Sequence, residues 1–543
     1  MKKSVYRGLS ALALSTALFG LNTSCTKDLD QTPKYELTPD KVYVGVNGYK
    51  QVLGKLYAGF ALTGAQGPGG AGDISGIDAG TSDYIRQLWS AQELTTDEAV
   101  IAWNDPGVQE WHNMNWDAND PLLRGLYSRI YYEIAICNEF IRESSDENLN
   151  SRLGGAESAQ GKLFRAEARF LRAVAYMHVI DLFGNGPFVT EADAVGATLP
   201  PYYTRKQLYD FVESELLALT TELAPPRTNE YGRVDQSAAH GYLARLYLNA
   251  GVYAGADQYA KAAEEAKKVI DAGYTLSTTR STASSAYGLL FLGDNNTAPA
   301  SNEIIWPVIF DVSRVQSFGG TTFLVNGATS GADGAWQAYV GETTGWGGMR
   351  TTRALVDKFF LAGGDTARDT RGRFWTRGQS LEINDLSQFT QGLGVIKYRN
   401  VTSTGVGLGG SLNFSSVDFP MLRLADMMLI YAEAAARTNT NRSTALGYVN
   451  QIRARAFGNN SAAITDAQMT PEFILDERAR ELHWEGTRRT DLIRYNRFVE
   501  GTYLWPWKGG VANGRAVEAH RVLFPIPAAD LTANPNLKQN PGY

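Results

Sequence analysis

The segment GKLFRAEARFLRAVAYMHVIDLFG, residues 161–184, carries apolar side chains at Leu163, Ala166, Phe170, Ala173, Val174, Met177 and Ile180. Steps of three and four residues place all of them on one face of an α-helix. A helix with such a stripe must bury it against another element, so the chain has to build at least part of its core by packing helix on helix. Gly184 and Pro187 end this one. The pattern then returns in pairs. SAAHGYLARLYLNAG (237–251) and YAKAAEEAKKVIDAGY (259–274) read as two helices of about four turns each, joined by a glycine-rich turn. Ala244, Ala262, Ala263 and Ala266 would let their backbones approach closely. A third pair is FPMLRLADMMLIYAEAAARTN (419–439) with STALGYVNQIRARAFG (443–458). A further helix, PEFILDERARELHWEG (471–486), opens with Thr470 as N-cap and Pro471 at its first position.

This mixture of small and large residues resembles tetratricopeptide pairs, whose period is about 34 residues. It predicts an all-α-dominated fold with roughly four helical hairpins of that kind. Residues 61–121, 275–350 and 376–415 show little helical period and are rich in Gly, Thr, Ser, Asn and aromatic side chains. A rigid helical scaffold with long loops places function on the loops.

The N-terminus raises a separate question. Leu9 to Leu21 is apolar and follows Lys2, Lys3 and Arg7. It is too short to span a bilayer, which takes roughly 20 residues, and reads as a secretory signal peptide. Thr23 and Ser24 then precede Cys25, an arrangement that resembles a lipobox, although Asn22 stands where leucine is usual and Leu21 lies one residue further back. The alternative for Cys25 is a disulfide with Cys137, the chain's other cysteine. Cys137 sits in YYEIAIC, where a buried thiol is apt. The expected organisation is therefore a signal peptide over 1–24, an acylated Cys25 with a polar tether over 25–40, and a single domain over 41–543. Lipid on Cys25 would supply a membrane anchor. Asp28 and Asp30 resemble the acidic export signal of surface-exposed lipoproteins in some Gram-negative bacteria. Removing 1–24 takes away three cations and deepens the net charge from −6 to −9, a poor balance for binding nucleic acid.

Catalytic signatures are scarce. His112, His178, His240, His483 and His520 are too widely spaced for an HExxH zinc pair, and neither a GxSxG elbow nor a GxxxxGK[ST] loop occurs. GVGLGG at 405–410 matches GxGxxG, but SLNFSS follows it and no helix opens there. Paired carboxylates would suit a glycosidase. Asp97 and Glu98 are adjacent, but Thr95 and Glu98 have capping-box spacing, which predicts a helix N-terminus. Glu477, Glu481 and Glu485 recur at four-residue steps among arginines and predict an ion-paired helix surface.

Aromatic residues in glycine-rich loops are the positive signal: Tyr84, Trp89, Trp103, Trp111, Trp116, Phe323, Trp336 and Trp346. Most should belong to the core. Trp346, however, lies between glycines in TTGWGG, and Trp103 precedes Asn104 and Asp105 at a turn. Flat rings beside amides, carboxylates and guanidinium groups suit sugars, because the ring covers the apolar face of a pyranose while polar neighbours bond its hydroxyls.

AEARFLRAVAYMHVIDLFGNGPFVTE, ERARELHWEGTRRTDLIRYNRF and the ending FPIPAADLTANPNLKQNPGY closely resemble the SusD/RagB family of glycan-binding surface lipoproteins. The likeness spans essentially the whole chain. It implies a tetratricopeptide-like scaffold with an irregular binding half, no catalysis, and a role as a lid on a SusC-like TonB-dependent outer-membrane transporter. The stretches QELTTDEAVIAWND, YLNAGVYAGADQYAKA, TYLWPWKGG and GGTTFLVNG are similar to the family's starch-binding founder. That resemblance implies an α-glucan oligosaccharide ligand, with Trp103, Trp346 and Phe323 stacking on glucose rings and Asp78, Arg86 and Asn104 bonding hydroxyls. It also implies calcium ligands near Asp294, Asn296 and Asp418, with Ser416 where a carboxylate would stand. The plain alternative there is a set of loop and cap formers. Two other readings stay open: another glycan bound by the same family, and an exported glycosidase.

Overall fold

The computed structural model describes residues 38–194, 196, 198–359, 369–410 and 413–543. Cys25, the proposed signal peptide and most of the tether lie outside them.

Helices dominate. The ones that matter below are α1 (Gly45–Ala58), α2 (Tyr84–Trp89), α3 (Pro121–Glu143), α4 (Gly155–Leu182), α5 (Arg205–Glu222), α6 (Gln236–Leu248), α7 (Tyr259–Ile270), α8 (Gly320–Ala328), α9 (Leu424–Thr438), α10 (Arg442–Phe457), α11 (Pro471–Leu482) and α12 (Arg488–Arg494). They pack as a series, α3 on α4, α4 on α5, α5 on α6, α6 on α7, α7 on α9, and α9 on both α10 and α11. One apolar core runs through this stack and continues under the loops.

α4 is the helix of residues 161–184, begun one and a half turns earlier. It ends where expected, because Gly184 turns left-handed at φ +76° and a Cβ there would come within 2.8 Å of Leu523 Cδ1. Its burial exceeds the predicted stripe. From Phe170 to Leu182 nearly every side chain is buried, Arg172 and Asp181 included, since α1, α3 and α5 all pack against it. The small residues act as anticipated: Ala244, Ala262 and Ala266 are fully buried where α6, α7 and α9 meet, while Ala263 is half-buried. Thr470 caps α11, accepting the Phe473 N–H at 3.2 Å. Cys137 is a buried free thiol on α3.

Two expectations need correction. The helix read over 419–439 begins only at Leu424. Phe419–Arg423 is an extended strand paired antiparallel with Ile304–Val308. Pro420 explains this, because it lacks an N–H and disfavours helical backbone at the residue before it; it sits opposite Pro307, so neither residue is asked to donate. The second correction concerns Glu477, Glu481 and Glu485. They are buried, not a helix surface. Glu477 pairs with Arg371 at 2.8 Å and Arg453 at 2.9 Å, Glu481 with Arg423 at 2.7 Å and also with Arg455, and Glu485 with Arg423 at 2.6 Å and Lys397 at 2.6 Å. Those guanidinium groups hold the carboxyls of Glu477 and Glu481 well below the usual range despite burial. Arg371, Arg423 and Lys397 come from remote segments, so spacing within the helix could not reveal the network.

Candidate binding site

A two-residue antiparallel ladder builds the site. In it β1 (Val100–Ile101) pairs with β2 (Met349–Arg350), Val100 opposite Arg350 and Ile101 opposite Met349. Trp103 follows the first strand and Trp346 precedes the second, so pairing the strands brings the two indoles together. Ala102 N–H extends the ladder to Gly348 O at 2.9 Å. The Trp103 indole N–H donates to Trp346 O at 3.3 Å, and the ring centroids are 6.4 Å apart at 43°. Gly348 is required at this crossing, because a Cβ there would fall 2.4 Å from Trp103 Cε2.

The Trp346 loop is fixed by the end of α8. N–H groups of Trp346, Gly347 and Gly348 donate to the carbonyls of Asn326, Thr329 and Gly327 at 2.7, 2.9 and 2.8 Å. Carbonyls at a helix C-terminus have no partner within the helix, and the loop that carries the indole supplies them.

Of the eight aromatic residues singled out from the sequence, Tyr84, Trp89, Trp111, Trp116, Phe323 and Trp336 are buried, and only Trp103 and Trp346 keep part of a ring in solvent. Phe323, expected to offer a stacking face, is 1% exposed. It is the floor of the site, with Trp89 at 5.7 Å and Trp103 at 6.1 Å. A phenyl group suits that position, where a hydroxyl would need a buried partner. The outward ring is Phe318, which is 46% exposed, 6.4 Å from Trp346 and backed by Phe414 at 5.3 Å. Its sequence signal was the one that marked Trp346, an aromatic beside glycines, in QSFGG.

The polar residues also gather here. Arg86 on α2 sets its guanidinium 4.6 Å from the Phe323 ring centre and 6.0 Å from that of Trp103. Among the described residues it donates no hydrogen bond from that group. Burial pushes its pKa down, while Asp83, Asp78 and Asp105 oppose the shift. The exposed Asp78 meets it over Gly80: a Cβ on that glycine would lie 3.1 Å from Asp78 Oδ1 and 3.3 Å from Arg86 Nη1. Asn104 is exposed beside Trp103. Asp83 caps α2, accepting the Arg86 N–H at 2.9 Å, and accepts the Ser317 hydroxyl at 2.6 Å, which ties the Phe318 segment to the Arg86 helix.

Thr95, Asp97 and Glu98 do not open a helix. α2 runs on into a wider turn over 90–94, and Thr95 closes it by donating its hydroxyl to Ala91 O at 2.8 Å. Glu98 is buried and accepts the Trp484 N–H at 3.1 Å. Glu93, also buried, accepts from Gly486 N–H at 2.7 Å and Thr487 N–H at 3.2 Å. The approach to Trp103 is thus clamped by the segment after α11.

Of the implied calcium ligands, Asp294 and Asp418 already have protein partners. Asp294 accepts the N–H and hydroxyl of Ser403 at 2.8 and 2.7 Å, and Asn296 is exposed. Asp418 accepts the Phe310 N–H at 3.0 Å and the Tyr231 hydroxyl at 2.9 Å, and burial raises its pKa to about 6. The Ser416 hydroxyl accepts the Val312 N–H at 3.1 Å. Among the described residues no three His, Cys, Asp or Glu side chains converge on one point, whereas calcium takes six to eight oxygens. Asp294 and Asp418 instead hold loops together.

Comparison with known proteins matches this architecture. A family model described as "SusD family" matches residues 368–543, and another described as "Starch-binding associating with outer membrane" matches 79–248. The starch-binding protein SusD of Bacteroides thetaiotaomicron is 32% identical, with both chains covered in full. SusD-like protein P2 of Formosa agariphila is 25% identical over 80% of this chain and 83% of its own. Among solved structures, a SusD superfamily protein from Bacteroides vulgatus superposes with a TM-score of 0.68 at 18% identity, covering 92% of this chain and all of that one. Surface glycan-binding protein A from Bacteroides fluxus gives 0.66 at 20% identity over 92% of this chain and all of its own. Among the described residues no helix is long and apolar enough to cross a membrane. By its full-length match to SusD, the chain belongs to the SusD/RagB family.

Proposed function

We propose that this protein captures starch-type α-glucan oligosaccharides at the cell surface, held to the outer membrane by lipid on Cys25, and passes them to a SusC-like TonB-dependent transporter. The observation that carries the ligand reading is the Arg86 guanidinium, half-buried against Phe323 and Trp103 yet without a hydrogen-bond acceptor among the described residues. A guanidinium has five donors, and sugar hydroxyls are suitable acceptors. Trp103, Trp346 and Phe318 supply ring faces beside it, and Asp78 and Asn104 stand exposed to take further hydroxyls. The full-length likeness to a starch-binding protein supports glucose as the sugar.

Calorimetry with maltoheptaose tests the site. The wild-type chain should bind, and exchanging Trp103 and Trp346 together for Ala should remove most of the affinity, because a few buried aromatic anchors carry most of a small interface. Unchanged affinity in that double variant sinks the proposed site. A panel of α-glucans, fructans and xylans on affinity gels tests the choice of sugar. Loss of membrane association in Cys25→Ser, and co-purification of a transporter, test the anchor and the partner.

A further inference from the structure

A further aromatic ring lies beside the loop that carries Trp346. Gly347 lies against Phe389, whose Cδ1 is 3.7 Å from where a Cβ on that glycine would be. Phe389 is half-buried and lies nearly parallel to the buried Trp336, centroids 5.7 Å apart at 28°. Trp375 also stacks on Trp336, at 5.3 Å and 18°. One face of Phe389 is therefore committed to Trp336, and its neighbours Ser387, Gln388 and Thr390 are exposed hydroxyl and amide side chains.

The loop bearing Phe389 is held in place from the site itself. Arg350, the buried β2 residue opposite Val100, donates to the carbonyls of Leu386, Gln388 and Gln391 at 2.7, 3.2 and 2.8 Å. Gln379 donates to Phe389 O at 3.0 Å, and Gln391 Oε1 accepts the N–H groups of Asn384 and Asp385 at 2.7 and 2.8 Å. A half-exposed ring fixed this firmly beside the indole loop, among side chains able to bond hydroxyls, is built to meet a ligand.

We propose that Phe389 is an additional sugar-stacking position that lengthens the site past Trp346, so that affinity rises with oligosaccharide length. The inference rests on the glycan reading above. The test is calorimetry of the full chain with maltotriose and maltoheptaose, or with the short and long members of whichever oligosaccharide series binds. Phe389→Ala and Phe389→Leu are compared with wild type, the leucine keeping apolar cover over Trp336 without a flat ring. Affinity for the long ligand should fall about tenfold in both variants, with the short ligand little changed and thermal unfolding of the leucine variant close to wild type. A leucine variant that binds the long ligand as wild type does, or an equal loss for both lengths, overturns the proposal while leaving the main site intact. Failure of every series to bind the wild-type chain overturns both.

Discussion

Arg488 donates from Nε and Nη2 to the two carboxylate oxygens of Asp97, at 2.7 and 2.8 Å, across 391 residues of sequence. Both side chains are buried, and the guanidinium holds the Asp97 carboxyl well below its ordinary range. Removing one partner strands a buried charge. Arg488→Ala should therefore cost about 3–5 kcal/mol, seen as a lower midpoint in urea unfolding. A depressed carboxyl stabilises the fold above its unfolded pKa, so this contribution is present at neutral pH and lost as pH falls well below 4. The loss at acid pH should be smaller in the variant.

Glu98 behaves in the opposite sense. Burial, with Asp97 nearby, raises its pKa from 4.5 to about 7 although Arg488 pulls it down, and burial beside Glu98 raises Glu93 as well. The facing groups are Arg488, 3.6 Å away, and the Trp484 N–H. A raised carboxyl contributes stability that is full below its unfolded pKa and fades as pH climbs through the folded one. Wild type should thus lose stability relative to Glu98→Gln between pH 4.5 and 7. Urea unfolding of the two proteins at several pH values reads the difference directly.

Phe318 and Phe323 should separate binding from stability. Phe318→Ala should weaken glycan binding while shifting stability by no more than about 0.5–1 kcal/mol, as for an exposed side chain. Phe323→Ala should cost about 3–5 kcal/mol, as for a core phenylalanine. Calorimetry and thermal unfolding of both variants check the contrast; a binding loss confined to Phe323→Ala would restore the role its sequence position suggested.

Gly348→Ala drives a methyl into the Trp103 indole. The ring must leave its place over Phe323, so affinity should fall at least about tenfold, while accommodation of the methyl costs about 1–3 kcal/mol of stability. The tryptophan emission spectrum should shift red as the indole gains water, and calorimetry measures the affinity.

What could be read from the sequence was local. Helix α4 with its glycine stop, the close-packed alanines, the Thr470 cap and the glycine-flanked Trp346 all follow from neighbours within a few residues. What could not be read depended on partners far along the chain. Glu477 and Glu481 look like a solvated face until Arg371 and Arg423 arrive from other segments. Asp97 and Glu98 look like a cap until Arg488 and Trp484 claim them. Phe323 and Phe318 lie five positions apart, and only the placement of α8 decides which ring faces inward.

The clamp of Glu93 on the N–H groups of Gly486 and Thr487 orders events in time. A chain emerging N-terminus first produces Trp103 early, yet the segment that braces it is among the last to appear. The helical stack can accrete progressively, whereas the edge bearing Trp103 and Trp346 has to await the closing stretch of polypeptide. Truncation before residue 484 should leave collapsed helices with an unformed mouth.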